Sequence, residues 1–266
     1  MPFTVVTFTT VPSRIMYLNK VIESIYYNQT VKPDYVVLYV PYIFKRTGEL
    51  YNIPDYLNDL QNNTSWFLIK RIDEDLGPIT KIYYSFLDYQ DPDDKLISID
   101  DDICYEKHFI EELLDGHQKY PNAILGFMGG RNGNFIHSEL IQMNHNERVF
   151  QKVDGLGGYK GILYPRKFID DDFFSIIKEL TLIHMQKLNK PILEDDHLLR
   201  LYFDRKHIDN MVLGTFYPKS LYGNTIYDII NIEFLDTSKL NGLYSDGNGE
   251  NMGNSYKLIK EYFGIS

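Results

Sequence analysis

The chain has 266 residues, of which 44% are hydrophobic, 15% aromatic and 24% charged, the profile of a soluble globular protein and not of a disordered one. Its 27 Lys+Arg against 37 Asp+Glu leave a net charge of -10, which repels nucleic acid and anionic membrane unless basic residues segregate, and the sequence holds no basic patch. The single cysteine, Cys104, excludes an intramolecular disulfide framework and fits a reducing compartment.

Met1-Pro2-Phe3-Thr4-Val5-Val6-Thr7 carries neither a basic leader nor a long apolar stretch, so no signal peptide or transmembrane segment is expected and the chain reads as cytoplasmic. Sequons at Asn28, Asn62 and Asn63 matter only in a secreted chain. One alanine, Ala123, among many Ile, Lys, Asn, Tyr and Asp residues points to AT-rich coding. Phe3 to Thr9 is a β-branched and aromatic run that predicts a strand, broken by Val11-Pro12-Ser13-Arg14. Leu18, Val21, Ile22 and Ile25 then recur at helical spacing. Tyr35 to Val40 predicts a buried strand, punctuated by Pro33-Asp34 before it and Pro41 after it. A third strand at Trp66 to Arg71 leads through Asp75-Leu76-Gly77-Pro78 to a helix with Ile79, Ile82, Tyr83 and Phe86 on one face. Lys95 to Ile99 is the fourth strand, about Glu106 to Lys119 a helix, and Ala123 to Phe127 a further strand.

Strands alternating with helices in this way predict an α/β fold with a mainly parallel central sheet and helices on both faces. Ligands of such sheets sit beyond the carboxyl ends of the strands. The second half is less regular: a polar stretch at Asn132 to Glu147, a glycine cluster at Gly155 to Gly161, and helices near Asp172 to Lys187 and Glu194 to Arg205. Asp246 to Glu250 resembles the start of a calcium loop. However, Asn251 and Lys257 stand where its glycine and glutamate belong, so a loop before a short final helix is expected. No Pro/Gly/Ser linker divides the chain, so residues 1–266 are expected to form a single domain.

Ser98-Ile99-Asp100-Asp101-Asp102 places carboxylates where a buried strand ends. In extended geometry Asp100 and Asp102 face the same side. Two carboxylates there suit Mn2+ or Mg2+, with water and substrate phosphates filling the other positions, and suit a solvated turn or helix N-cap equally well. Asp170-Asp171-Asp172 is an equal triplet that follows no strand and opens a helix, where capping and the helix dipole suffice. Asp91-Pro92-Asp93-Asp94 reads as a turn. Glu194-Asp195-Asp196-His197 also opens a helix; it complements the dipole or supplies a general base, with His197 as assistant or bystander. Arg14 and Lys81 both follow predicted strands toward one edge of the sheet and are candidates for a diphosphate, or are exposed cations. Gly129, Gly130, Gly155, Gly157, Gly158 and Gly161 permit close backbone approach or simply turns. Zinc-protease, hydrolase-elbow, P-loop and dinucleotide signatures are all missing from the sequence.

In this order the features resemble a nucleotide-sugar-dependent glycosyltransferase of the GT-A type, and most closely a group of small bacterial and large-DNA-virus (chlorovirus/mimivirus-like) transferases. The resemblance spans about Phe3 to Arg205. It rests on Thr7-Phe8-Thr9, Asp75-Leu76-Gly77-Pro78-Ile79-Thr80-Lys81, Ile99-Asp100-Asp101-Asp102-Ile103-Cys104-Tyr105, Gly157-Gly158-Tyr159-Lys160-Gly161-Ile162-Leu163-Tyr164, and Glu194-Asp195-Asp196.

The resemblance implies a Rossmann-like domain, with residues 1–128 binding the nucleotide-sugar and 129–266 the acceptor, in the cytoplasm of a bacterium or a virus-infected host cell. It further implies a UDP- or GDP-sugar donor and a glycan or glycoconjugate acceptor. Thr7, Thr9, Arg14, Lys81, Asp100 and Asp101 would line the donor pocket, Asp102 and Asp100 would hold Mn2+ or Mg2+, and Gly157, Gly158 and Tyr159 would line the acceptor side. Asp195 matches the base of inverting members, with Glu194 and Asp196 tuning or replacing it. Many GT-A enzymes add a later histidine to the metal; here none follows His207. The alternatives are a sugar nucleotidyltransferase, which should carry a glycine-rich basic loop where Val11-Pro12-Ser13-Arg14 stands, and a catalytically silent glycan-binding or structural module. Tyr159, Tyr164 and Trp66 are aromatics suited either to stacking on a sugar or base or to ordinary packing.

Overall fold

In the computed structural model, which describes residues 1–131, 134–135, 148–215, 233–234 and 249–265, the first strand, β1 (Thr4–Thr9), sends Val6 and Phe8 into one apolar layer and Val5 into another. Successive side chains of an extended chain face opposite sides, so a strand covered on both faces needs an unbroken apolar run. β2 (Tyr35–Pro41) follows suit, with Val36, Leu38 and Val40 in the first layer and Val37 and Tyr39 in the second. β3 (Phe67–Ile72), β4 (Lys95–Ser98), β5 (Ala123–Gly126), β6 (Arg148–Val153), β7 (Ile162–Pro165) and β8 (Asp209–Thr215) complete an eight-stranded sheet, in the order β6-β8-β5-β7-β4-β1-β2-β3.

The pairs β1–β2, β1–β4, β2–β3 and β5–β8 are parallel, and the rest are antiparallel through β6 and β7. The helices are α1 (Asp55–Asn63), α2 (Thr80–Asp88), α3 (Phe109–Lys119), α4 (Asp171–Leu188), α5 (Asp195–Arg205) and α6 (Gly249–Tyr262). Ile15 to Ile25, Leu57 of α1 and Phe109 to Leu113 of α3 cover one face of the sheet. On the other face lie Ile82 and Phe86 of α2, Phe173 to Leu180 of α4, Leu198 to Phe203 of α5 and Ile259 of α6. The expected α/β class with a mainly parallel sheet and helices on both faces therefore holds.

Several local expectations change. Residues 15–27 are not one regular helix: 3-10 turn at Ile15–Tyr17, α-turn at Asn19–Ile22 and π-turn at Glu23–Tyr27 follow one another. Asp55–Asn63 is an unforeseen helix, and Ile162–Pro165 is a buried antiparallel strand wedged between β4 and β5. The final helix is 14 residues long, not short, and begins within the expected loop, at Gly249; residues 246–248 and most of the polar stretch 132–147 lie outside the described residues. At the Asp170 triplet the carboxylates do flank the start of α4. Asp170 caps no backbone N–H with its side chain, though, and accepts from the Tyr202 hydroxyl (2.9 Å) and the Lys206 ammonium instead. Asp91 to Asp94 is a turn, tied to β1 by Phe3 N–H donating to Asp94 Oδ1 at 2.7 Å.

From β1 the chain steps outward to β2 and β3, then returns to the other side of β1 as β4. The strand order reverses between β1 and β4, and the crevice beyond the carboxyl ends of two such strands is where open α/β sheets bind ligands. Among the described residues no helix is long and apolar enough to cross a membrane.

Candidate functional site

Beyond the end of β1, Thr10 donates its hydroxyl to Asp101 Oδ2, and Arg14 lies over the acidic turn that ends β4. Arg14 Nη2 is 2.8 Å from Asp101 Oδ1, and Arg14 Nη1 is 2.7 Å from Asp102 Oδ2. The strand stops at Ser98 and the chain turns at Asp101-Asp102, so the alternation expected of an extended segment does not continue. Asp101 and Asp102 share Arg14, while Asp100 faces Lys81, with Lys81 Nζ 2.6 Å from Asp100 Oδ1. Burial, then the charge of Asp101, pushes the Asp102 carboxyl up to about 6, against the pull of Arg14. Burial disfavours charge on Arg14 as well, but Asp101, Asp102 and Asp100 together hold its guanidinium above its ordinary range.

Lys81 enters from the opposite layer, as the second residue of α2. Thr7, buried in β1, donates to Lys81 C=O at 2.7 Å; Thr9 donates to Tyr39 C=O at 2.8 Å. Both hydroxyl protons are thus committed to main chain. Ahead of α2, Asp75 accepts from Lys45 N–H and Gly77 N–H, each at 2.8 Å, and Gly77 adopts φ +81°. A Cβ on Gly77 would lie 2.1 Å from Ile192 C=O, so only glycine lets this turn press against the segment entering α5.

That contact brings the second acidic cluster to Lys81. Asp195, the first residue of α5, and Asp196 are densely surrounded by protein yet keep partial exposure, as groups at the floor of a cleft do. Burial raises the Asp195 carboxyl above its ordinary range, Lys81 opposes this, and Asp100 adds to it. Burial and Asp195 push Asp196 up to about 8, although Gly158 N–H donates to its Oδ2 at 2.9 Å. Burial and Asp195 also carry Glu194 up to about 7. Lys81 in turn keeps its charge despite burial because Asp100, then Asp195 and Asp196, surround it.

The glycine segment packs against this second cluster. Gly157 N–H donates to Met128 C=O at 3.0 Å, and Gly158 opens a 3-10 turn through Lys160. A Cβ on Gly158 would lie 2.6 Å from Asp196 Oδ1. Tyr159 is half-buried, with its carbonyl accepting from the Tyr105 hydroxyl at 2.9 Å.

The structure brings Arg14, Lys81, Asp100, Asp101 and Asp102 together at the β1–β4 crevice, with Asp195, Asp196 and Gly158 linked to them through Lys81. His197 lies outside this set, with Nε2 3.7 Å from Glu194 Oε2 and its ring 4.4 Å from that of Tyr256. Tyr164 is buried and Trp66 stacks on Tyr26 at 3.6 Å, so both are committed to packing. Residues given no role in sequence are Thr10, Tyr105, and Tyr51, whose hydroxyl donates to Thr10 C=O at 2.8 Å. A buried tyrosine needs a hydroxyl partner, but sequence does not say which one. Ser98, 1% exposed, has a hydroxyl with no hydrogen-bond partner among the described residues.

For a divalent cation the donors have the right chemistry, hard carboxylate oxygens in excess over the two cations that face them. Among the described residues no three His, Cys, Asp or Glu side chains form a group able to hold a metal ion by themselves, so a cation at Asp102 and Asp100 would draw its other ligands from phosphate and water.

No protein-family model matches the chain, and no curated protein does. Among solved structures it superposes on S. aureus TarS 1–349 in complex with UDP-GlcNAc with a TM-score of 0.42 at 14% identity, covering 65% of this chain and 48% of that one. The same TarS segment with UDP gives a TM-score of 0.42 at 15% identity, with 65% and 49% covered. The chain thus spans about half the length of these TarS chains, and superposition at this level carries no functional inference.

Proposed function

We propose that the chain is a glycosyltransferase that moves a sugar from a nucleoside-diphosphate sugar to an acceptor hydroxyl, with inversion and with a divalent cation. The observation that carries this reading is the position of Lys81, whose ammonium lies 2.6 Å from Asp100 Oδ1 and is also held charged by Asp195 and Asp196. A buried cation that interacts with both acidic clusters suits a reaction in which negative charge departs from one cluster while the other removes a proton.

In this scheme Arg14 and Lys81 bind the diphosphate. Asp102 and Asp100 would hold Mn2+ or Mg2+, which would neutralise charge on the departing diphosphate. Asp195 is the base: of the cluster it feels Lys81 most strongly, which favours its ionised form, while burial raises its carboxyl above the ordinary range and so makes it a better proton acceptor. Glu194 and Asp196, raised toward neutrality, sit beside it as proton-bearing neighbours. Gly157, Gly158 and Tyr159 would line the acceptor side.

The test is release of nucleoside diphosphate from a panel of UDP-, GDP-, dTDP- and CDP-sugars with Mn2+, comparing wild type with Asp102→Asn and Asp195→Asn. Each variant should lose about 10²-fold or more in turnover, the scale of a removed general base or charge stabiliser. Full activity in both would overturn the mechanism.

A further inference from the structure

β4 and β7 are paired up to Ser98 and Ile162, and there the ladder ends. Beyond it one strand runs into the Asp100–Asp102 turn, and the other is preceded by the Gly158–Lys160 turn. Between these two segments stands Tyr105, 3% exposed. Its hydroxyl accepts from Asp100 N–H at 3.0 Å and donates to Tyr159 C=O at 2.9 Å, so a single oxygen ties both turns. The ring that carries this oxygen is fixed at both ends: it packs on Phe109 at 4.5 Å, and Tyr105 N–H donates to Ser24 Oγ at 3.1 Å.

On either side the chain of contacts continues into the site, since Asp100 receives Lys81 and Gly158, next to Tyr159, gives its N–H to Asp196. We propose that Tyr105 is a positioning residue that fixes the Asp100 turn against the Gly158–Lys160 turn, so that a nucleoside diphosphate engaged at the first orders the second, where the acceptor and Asp196 lie. This rests on the transferase reading of the site.

Hydrogen exchange of segments 98–104 and 157–163, with UDP or GDP plus Mn2+ as the probe, tests the link. In wild type the nucleotide should slow exchange in both segments, by about threefold or more, as expected when a ligand rigidifies a locally opening unit. In Tyr105→Phe it should still bind within about threefold of wild-type affinity and protect 98–104, but leave 157–163 unprotected. Phe109→Leu loosens the ring's packing and keeps the hydroxyl, so it should lower stability and preserve the transmitted protection.

Protection of 157–163 in Tyr105→Phe, or its loss in Phe109→Leu to the same degree, overturns the proposal. So does a wild type that binds nucleotide and protects only 98–104, an outcome that leaves the transferase reading standing. A wild type that binds no nucleotide defeats that reading and this inference with it. If Tyr105→Phe does not fold, the wild-type protein decides: protection of both segments by the nucleotide supports the link, and protection of 98–104 alone overturns it.

Discussion

At the scale of single residues, the chemistry of the site lies in how neighbours alter carboxylates. Asp195 and Asp196 adjoin in sequence, yet Lys81 opposes the rise of the first more strongly than that of the second, whose carboxyl stands near 8. A carboxyl raised in the folded state keeps its proton there while the unfolded chain loses it near 3.8. The stability contributed by neutral Asp196 is therefore complete below about 4 and is lost as pH rises through about 8. Asp196→Asn keeps a neutral acceptor for Gly158 N–H, so its unfolding midpoint should lie closest to wild type near pH 4 and exceed it increasingly as pH rises to 8.5, by several degrees or more. A gap that stays constant across that range would assign the effect to packing instead of ionisation.

At the scale of elements, the site depends on how the turn before α2 docks against the approach to α5. Gly77 combines φ +81° with contact to Ile192 C=O, and the approach is held from behind by Ser255 of α6, whose hydroxyl accepts from Leu193 N–H at 3.3 Å and lies 3.0 Å from Nε2 of buried His184. Gly77→Ala pays for both a left-handed backbone and a collision, and should destabilise by about 2–4 kcal/mol in urea unfolding while weakening nucleotide binding, because Lys81 and Asp195 move apart. A loss under about 0.5 kcal/mol would mean that the turn relaxes freely. The Asp75-Leu76-Gly77-Pro78 run is conspicuous in sequence as punctuation, but its partner lies more than a hundred residues away, so only the docked structure explains why glycine is needed.

For the whole molecule, a net charge of -10 and two acidic clusters around one crevice make a bare diphosphate an unfavourable guest. The expected result is that UDP or GDP with Mn2+ raises the melting temperature, by an amount equivalent to about 2.7 kcal/mol at a hundredfold excess over Kd. The same nucleotide with chelator should give at most a small shift. Equal shifts with and without the cation would show that Arg14 and Lys81 suffice for binding.

Legibility in the sequence followed the range of the forces involved. β1, β2, β3, β4 and β5, and α2, α3, α4 and α5, announce themselves because a buried strand must be continuously apolar and an amphipathic helix must repeat its apolar face; these rules act within a few residues. β7 (Ile162–Pro165) follows Gly161 directly and ends in its own proline, so in sequence it merges with the glycine cluster, and its role as the strand between β4 and β5 is a property of the sheet. Asp100 to Asp102 and Glu194 to Asp196 were equally visible as acidic runs. That Asp101 and Asp102 share Arg14, that Asp100 turns instead to Lys81, and that Lys81 faces both runs were decided by tertiary structure, because ion pairs form between side chains that the fold brings from opposite layers to one end of the sheet. The sequence determined the class of fold and the residue types available for chemistry. Their pairing, and so the chemistry itself, came from the strand reversal between β1 and β4 and from the close docking at Gly77 and Gly158, which no local pattern encodes.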